Sequence, residues 1–221
     1  MSLNPLEIQR LSSYLETVLA PAHILLLYET SPELEALKPK IGAKKYAELT
    51  VFIRPSKNDP KLMAETEDTC FIRHVGDEEL SKPERLVRTE RRIQETRPST
   101  RIVCAYNTEK LIGLGEELCV EIFSLHDYIL FTRFSKGGIN LLESMERALT
   151  EALGQHGAEM VHRYMEREGI ERGSTPLHFR QFLDAMHELL GGGAEPLARL
   201  IYRRLFQTLR SSPGEIKNGT N

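Results

Sequence analysis

His23-Ile-Leu-Leu-Leu-Tyr28, followed at once by Glu29-Thr-Ser-Pro-Glu33, decides the fold class. A short unbroken apolar run suits a strand buried on both faces of a parallel sheet, where neither face meets water. Ser31-Pro32-Glu33 then reads as a helix start. It offers an N-cap hydroxyl, a proline whose fixed φ fits the first turn, and an acid well placed against the helix dipole.

Working outward, the helix runs through Leu37 to about Tyr46, interrupted at Pro39, and strands are predicted at Leu49 to Ile53 and Thr69 to Val75. A charged helix over Pro83 to Glu95, a strand over Arg101 to Tyr106, a helix over Glu116 to Leu125 and a strand over Tyr128 to Phe134 complete the alternation. Strands alternating with helices imply a mostly parallel α/β sheet flanked by helices. After Ser135-Lys-Gly-Gly138 the strand signals stop. Helical segments follow at Ile139 to Leu153, Ala158 to Glu168, Leu177 to Leu190 and Ala194 to Leu209, with glycine at the breaks, where a left-handed residue ends a helix at little cost. The expected organisation is therefore an N-terminal helix over 1–20, an α/β unit over 21–135, an all-α helical unit over 139–210 and a flexible polar tail over 211–221. The N-terminal helix caps the first unit or pairs with a second copy of itself.

Composition narrows the function classes. With 40% apolar and 28% charged residues the 221-residue chain is globular in character. The net charge is −3, and basic and acidic residues balance on both sides of Asn140, so the basic excess of a general nucleic-acid binder is missing. No stretch approaches the roughly 20 apolar residues that span a bilayer. The first ten residues do not form a secretory signal. Three cysteines, Cys70, Cys104 and Cys119, lie inside apolar runs and fit reduced thiols, so the expected compartment is cytoplasmic.

The turn after the first strand has no glycine and no lysine for a phosphate, and it places Glu29 where an anion would sit. Gly113-Leu-Gly115 lacks the third fingerprint glycine, and Lys136-Gly-Gly138 lacks a following Ser or Thr. Cys104, Cys119 and His126 are separated by fourteen and six residues, which matches no zinc spacing. No HxH, HxxxH or GxSxG pattern occurs. No catalytic residue, metal or cofactor is therefore expected, although Cys104 and His126 could meet in space. Arg85, Arg88, Arg91 and Arg92, with Glu84, Glu90 and Glu95 interleaved, read as a solvated helix face laced with ion pairs, and Arg199, Arg203 and Arg204 read alike.

Ligands of parallel α/β sheets sit at the carboxyl ends of strands. Tyr28 and Glu29 end one strand, Tyr106 and Asn107 another. Should those strands be neighbours, two phenol rings, a carboxylate and an amide converge on one crevice suited to a small, largely apolar molecule. Alternatively the two tyrosines close the core and Glu29 caps a helix. His23, Cys104 and His126 complete the candidate ligand-binding set, the histidines also reading as fold-supporting.

The opening block His23-Ile-Leu-Leu-Leu-Tyr28-Glu29, the later block Ile102-Val-Cys104-Ala-Tyr106-Asn107 and His126-Asp-Tyr-Ile129 together resemble the methanogen/methylotroph sensory domain found in dichloromethane-responsive regulators. Asn107 stands where that family usually has Asp, and Arg54 to Gly76 matches none of its blocks. The resemblance implies a RecA-like sheet without a phosphate loop that senses small organic molecules. Gly154, Ala158, Phe182, Leu183, Leu189-Leu-Gly-Gly-Gly193-Ala194, Leu197, Ile201 and Leu205 are similar to a helical archaeal (Nitrosopumilus-type) output domain, which implies an archaeal source and a relay role. The expected function is a non-catalytic signalling protein that senses a small organic ligand and passes the signal to a protein partner or within a homodimer. A ligand-free scaffold mediating homo-oligomer or partner binding is the alternative, and an enzyme using Cys104 with His126 a third.

Overall fold

A computed structural model describes residues 22–29, 70–96, 101–132, 134–172 and 179–211. The N-terminal helix, the helix over Leu37 to Tyr46, the strand over Leu49 to Ile53 and the polar tail lie outside the described residues. Within them, β1 (His23–Tyr28) is followed by β2 (Cys70–His74), α1 (Asp77–Leu80) and α2 (Pro83–Thr96). Next come β3 (Arg101–Asn107), α3 (Thr108–Ile112), α4 (Glu116–Ser124) and β4 (Tyr128–Phe131). The helical segment is α5 (Phe134–Arg167), α6 (Phe179–Leu190), a 3-10 turn at Gly191–Gly193 and α7 (Ala194–Ser211).

The four strands form a parallel sheet in the order β2-β3-β1-β4. Every residue of β1 is buried, as its unbroken apolar run requires. Its neighbour β3 pairs Leu25 with Cys104, Leu27 with Tyr106 and Tyr28 with Asn107, while β2 sets Arg73 opposite Cys104 and His74 opposite Ala105. Successive side chains of a strand point to opposite faces. Arg73, Cys104 and Tyr106 therefore share one face with Leu25 and Leu27, and Tyr28, His74, Ala105 and Asn107 share the other.

α2 turns Leu86, Val87, Glu90 and Ile93 inward, one stripe at helical spacing. Ser135 to Gly138, expected to be a boundary, is helical, the first turns of α5. The expected break near Gly154 is there. Its φ of 70° and ψ of 172° are open to glycine and strained for a residue with a Cβ. α7 buries Leu197, Ile201, Tyr202, Leu205 and Phe206 and packs on α4 and α5. Tyr202 lies 6.1 Å from Phe123 and 5.9 Å from Phe179, centroid to centroid. The helical segment thus shares one contiguous core with the sheet. None of the described helices is long and apolar enough to cross a membrane.

Candidate functional site

The residues expected at one crevice are sorted by the sheet into three places. Tyr28 and Tyr106 do not converge. They sit on neighbouring strands but on opposite faces, because Tyr28 is in register with Asn107 and not with Tyr106. The first group, at the carboxyl edge, is Tyr28, Glu29 and Asn107, joined by His74. The Tyr28 hydroxyl hydrogen-bonds His74 Nε2, from β1, third in the sheet order, to β2, the first. The intervening strand presents Ala105 opposite His74, and this small side chain leaves room for the crossing. Asn107 caps α3 by accepting from the Lys110 amide (3.0 Å), and its Nδ2 donates to the Glu29 carbonyl (3.0 Å). Thr108 Oγ1 donates to the Tyr28 carbonyl at 3.1 Å.

The second place is the amino edge. The His23 amide donates to Asp127 Oδ2 at 2.8 Å, and Arg180 Nη1 of α6 donates to Asp127 Oδ1 at 2.8 Å. Asp127 thereby ties β1, the turn before β4 and the helical segment together.

The third place holds the chemistry. Cys104, Tyr106 and His126 surround Glu90, with Arg73 alongside, and all five are nearly or fully removed from solvent. Arg73 bonds Glu90 Oε1 through Nη1 and Glu79 through Nη2. The Tyr106 hydroxyl donates to Glu90 Oε1 at 2.8 Å, and the Cys104 thiol donates to Oε2 at 3.2 Å. His126 Nδ1 lies 2.7 Å from the Ile122 carbonyl. A carbonyl only accepts, so Nδ1 carries the proton. The other ring nitrogen, Nε2, faces Glu90 Oε2 at 4.0 Å.

Charge states follow from these contacts. Burial pushes the Glu90 carboxyl up, but the Arg73 charge, then His126 and the hydrogen bonds of Tyr106 and Cys104, outweigh it and hold the group below its usual value. Burial, reinforced by the Glu90 charge, raises both the Cys104 thiol and the Tyr106 phenol well above their ordinary values. Burial lowers His126. At neutral pH the cluster is an ionised Glu90–Arg73 pair ringed by a thiol, a phenol and a neutral imidazole.

Glu90, Arg73 and Glu79 are absent from the sequence-derived set. Glu90 is the correction to the solvated-face reading of α2: Glu84, Arg85, Arg88, Arg91, Arg92 and Glu95 are exposed and Glu90 is buried. The signal was its spacing, four residues after Leu86 and three before Ile93. Two of the basic residues of α7 form ion pairs, Arg203 with Glu116 and Glu117, and Arg204 with Glu151. A surface groove of about 540 Å³ beside α5 and α7 includes Glu146, Glu151, His162, Arg172 and Arg204. Its charges answer one another, with Arg172 2.6 Å and His162 3.0 Å from Glu146.

No family model, curated protein or solved structure matches the chain.

Proposed function

We propose that the chain is a non-catalytic sensory protein that binds a small organic molecule at the carboxyl edge of its sheet and relays occupancy to the helical segment. In this reading the sheet is RecA-like without a phosphate loop. The protein works in the cytoplasm, as its cysteine usage implies, in an archaeon, as the resemblance implies, and α5 to α7 act on a protein partner or a second copy.

The observation that carries the reading is a series of buried polar groups that leads from β3, on the face opposite Tyr28 and His74, toward the helical segment. It passes from Tyr106 to Glu90, on to His126 across 4.0 Å, and through the adjacent Asp127 to Arg180 on α6. Ligands of parallel sheets gather at the carboxyl edge, where Tyr28 and His74 offer an aromatic, hydrogen-bonding pair. The protonated, buried thiol of Cys104 supports the non-catalytic side, since the thiolate is the nucleophile.

The scaffold reading has its own support. Asn107, Thr108 and Tyr106 are engaged by internal hydrogen bonds. Native mass spectrometry of freshly purified protein, followed by thermal-shift screening of small organic compounds against wild type and Tyr28→Phe, separates the two. We expect at least one compound to stabilise wild type and to lose that effect in the variant. No co-purifying molecule and no stabilising compound would leave the scaffold.

A further inference from the structure

The geometry points to a transition-metal site, of zinc class, formed by Cys104 Sγ, His126 Nε2 and Glu90 Oε2. One ligand atom from each of these three buried residues lies within 4.8 Å of the other two. A tetrahedral zinc ion with its sulfur ligand at about 2.3 Å and nitrogen or oxygen ligands at about 2.0–2.2 Å sets neighbouring ligand atoms roughly 3.3–3.7 Å apart. The Cys104–Glu90 separation of 3.2 Å is already near that spacing, and the His126–Glu90 separation of 4.0 Å needs to close by only a fraction of an ångström.

The surroundings are arranged as a metal's outer contacts are. A ligating histidine donates its other ring N–H to a carbonyl or carboxylate, which fixes the tautomer. His126 does so to Ile122, leaving the Nε2 lone pair turned to the cluster. A ligating carboxylate is itself hydrogen-bonded. Glu90 takes Arg73 and Tyr106 on Oε1, while Oε2 faces the thiol and the imidazole. Among the described residues Arg73 is the repulsive neighbour, and its second hydrogen-bonding partner, Glu79, answers its charge. A divalent ion then meets one thiolate and one carboxylate, and the buried group is neutral.

On binding, the Cys104 S–H bond breaks, its proton leaves to solvent, and a sulfur–metal bond forms. A bound cation deprotonates a coordinating thiol even where burial opposes ionisation. Thiolate with imidazole favours zinc over magnesium or calcium, which prefer oxygen ligands. Three protein ligands leave the fourth tetrahedral position for a non-protein donor. The site does not depend on the sensory reading and stands or falls on metal content.

The test uses the full chain expressed with zinc and, separately, refolded with cobalt(II). Elemental analysis is expected to give equimolar zinc. The cobalt form is expected to show the ultraviolet charge-transfer band that only a thiolate ligand produces. Cys104→Ser is expected to lose both, and Cys70→Ser and Cys119→Ser to keep both. If Cys104→Ser does not fold, the wild-type band together with its survival in the other two variants still decides for Cys104. A folded wild type with neither zinc nor band, or a band that persists in Cys104→Ser, overturns the site.

Discussion

Replacing Arg73 with methionine removes a charge that has almost no contact with water. Arg73 and Glu90 are each 2% exposed. Methionine keeps an unbranched apolar stem in the same space, so the loss is mainly electrostatic. Breaking a buried pair by deleting one partner costs about 3–5 kcal/mol, because the survivor remains buried and uncompensated. Glu90 retains the Tyr106 hydroxyl and the Cys104 thiol as donors, which sets the expectation at the lower end, about 3 kcal/mol. A domain is stable by only about 5–15 kcal/mol, so the effect is large yet measurable. Urea denaturation followed by circular dichroism, with chelator present, reads it. Arg91→Met on the solvent-facing side of α2 serves as control: its pair with Glu121 is exposed, and such pairs contribute about 0.2–1 kcal/mol. In the Arg73→Met/Glu90→Met double variant the coupling between the two sites should exceed about 1 kcal/mol, within the range found for residues in contact. If Arg73→Met is no worse than Arg91→Met, the buried ion pair is refuted.

Four further outcomes are expected. Tyr106→Phe deletes one donor to a charged, buried carboxylate and should cost about 1.5–3 kcal/mol by urea denaturation; no loss would mean that the hydroxyl is not paired. Burial raises the Glu146 carboxyl, but hydrogen bonds from Arg172 and His162 outweigh it and hold the group below its ordinary value. Glu146 therefore contributes stability above the unfolded carboxylate range, lost as pH falls through the folded value, and a wild-type advantage over Glu146→Gln that failed to shrink on acidification would contradict this. Gly154→Ala forces a side chain into a glycine conformation and should destabilise by about 1–3 kcal/mol, read as a lower melting temperature. Burial pushes the Cys119 thiol up to about 12, so mass-mapped alkylation of Cys119 should be slow in native protein and fast in denaturant.

How much of this was legible in the sequence depends on which residues carry local signals. The run His23 to Tyr28 identified a doubly buried strand because its pattern is a direct image of its surroundings. Glycine breaks near 154 and 191 were legible for the same reason, since φ of 70° and 54° there favours glycine. Ser135 to Gly138, read as a break, lies in the first turns of α5, because two glycines weaken a helix without preventing it when later turns pack well. The site was harder. That Tyr28 and Tyr106 end strands is local information, whereas which faces they take depends on register, which pairing alone sets. Glu90 was hidden by the arginines and glutamates around it, although its place in the Leu86 to Ile93 stripe marked it as inward. Its partner Arg73 is a lone charge in a strand, unreadable until β3 brings Cys104 opposite it.

The ion pair under α2 also acts as a lock on strand alignment. β2 and β3 run parallel with Arg73 opposite Cys104 and His74 opposite Ala105, and the two polar side chains of β2 point to opposite faces. A slip of β2 by one residue would invert its side chains, carrying Arg73 to the far face and bringing His74 toward α2. Glu90 and Arg73 would then be stranded on opposite sides of the sheet, each buried without its counter-charge, at a cost comparable to much of the fold's stability. A purely apolar residue at 73 would tolerate that slip. The arginine rejects it, so this expensive pair defines a single permitted alignment for the strand at one end of the sheet order among the described residues.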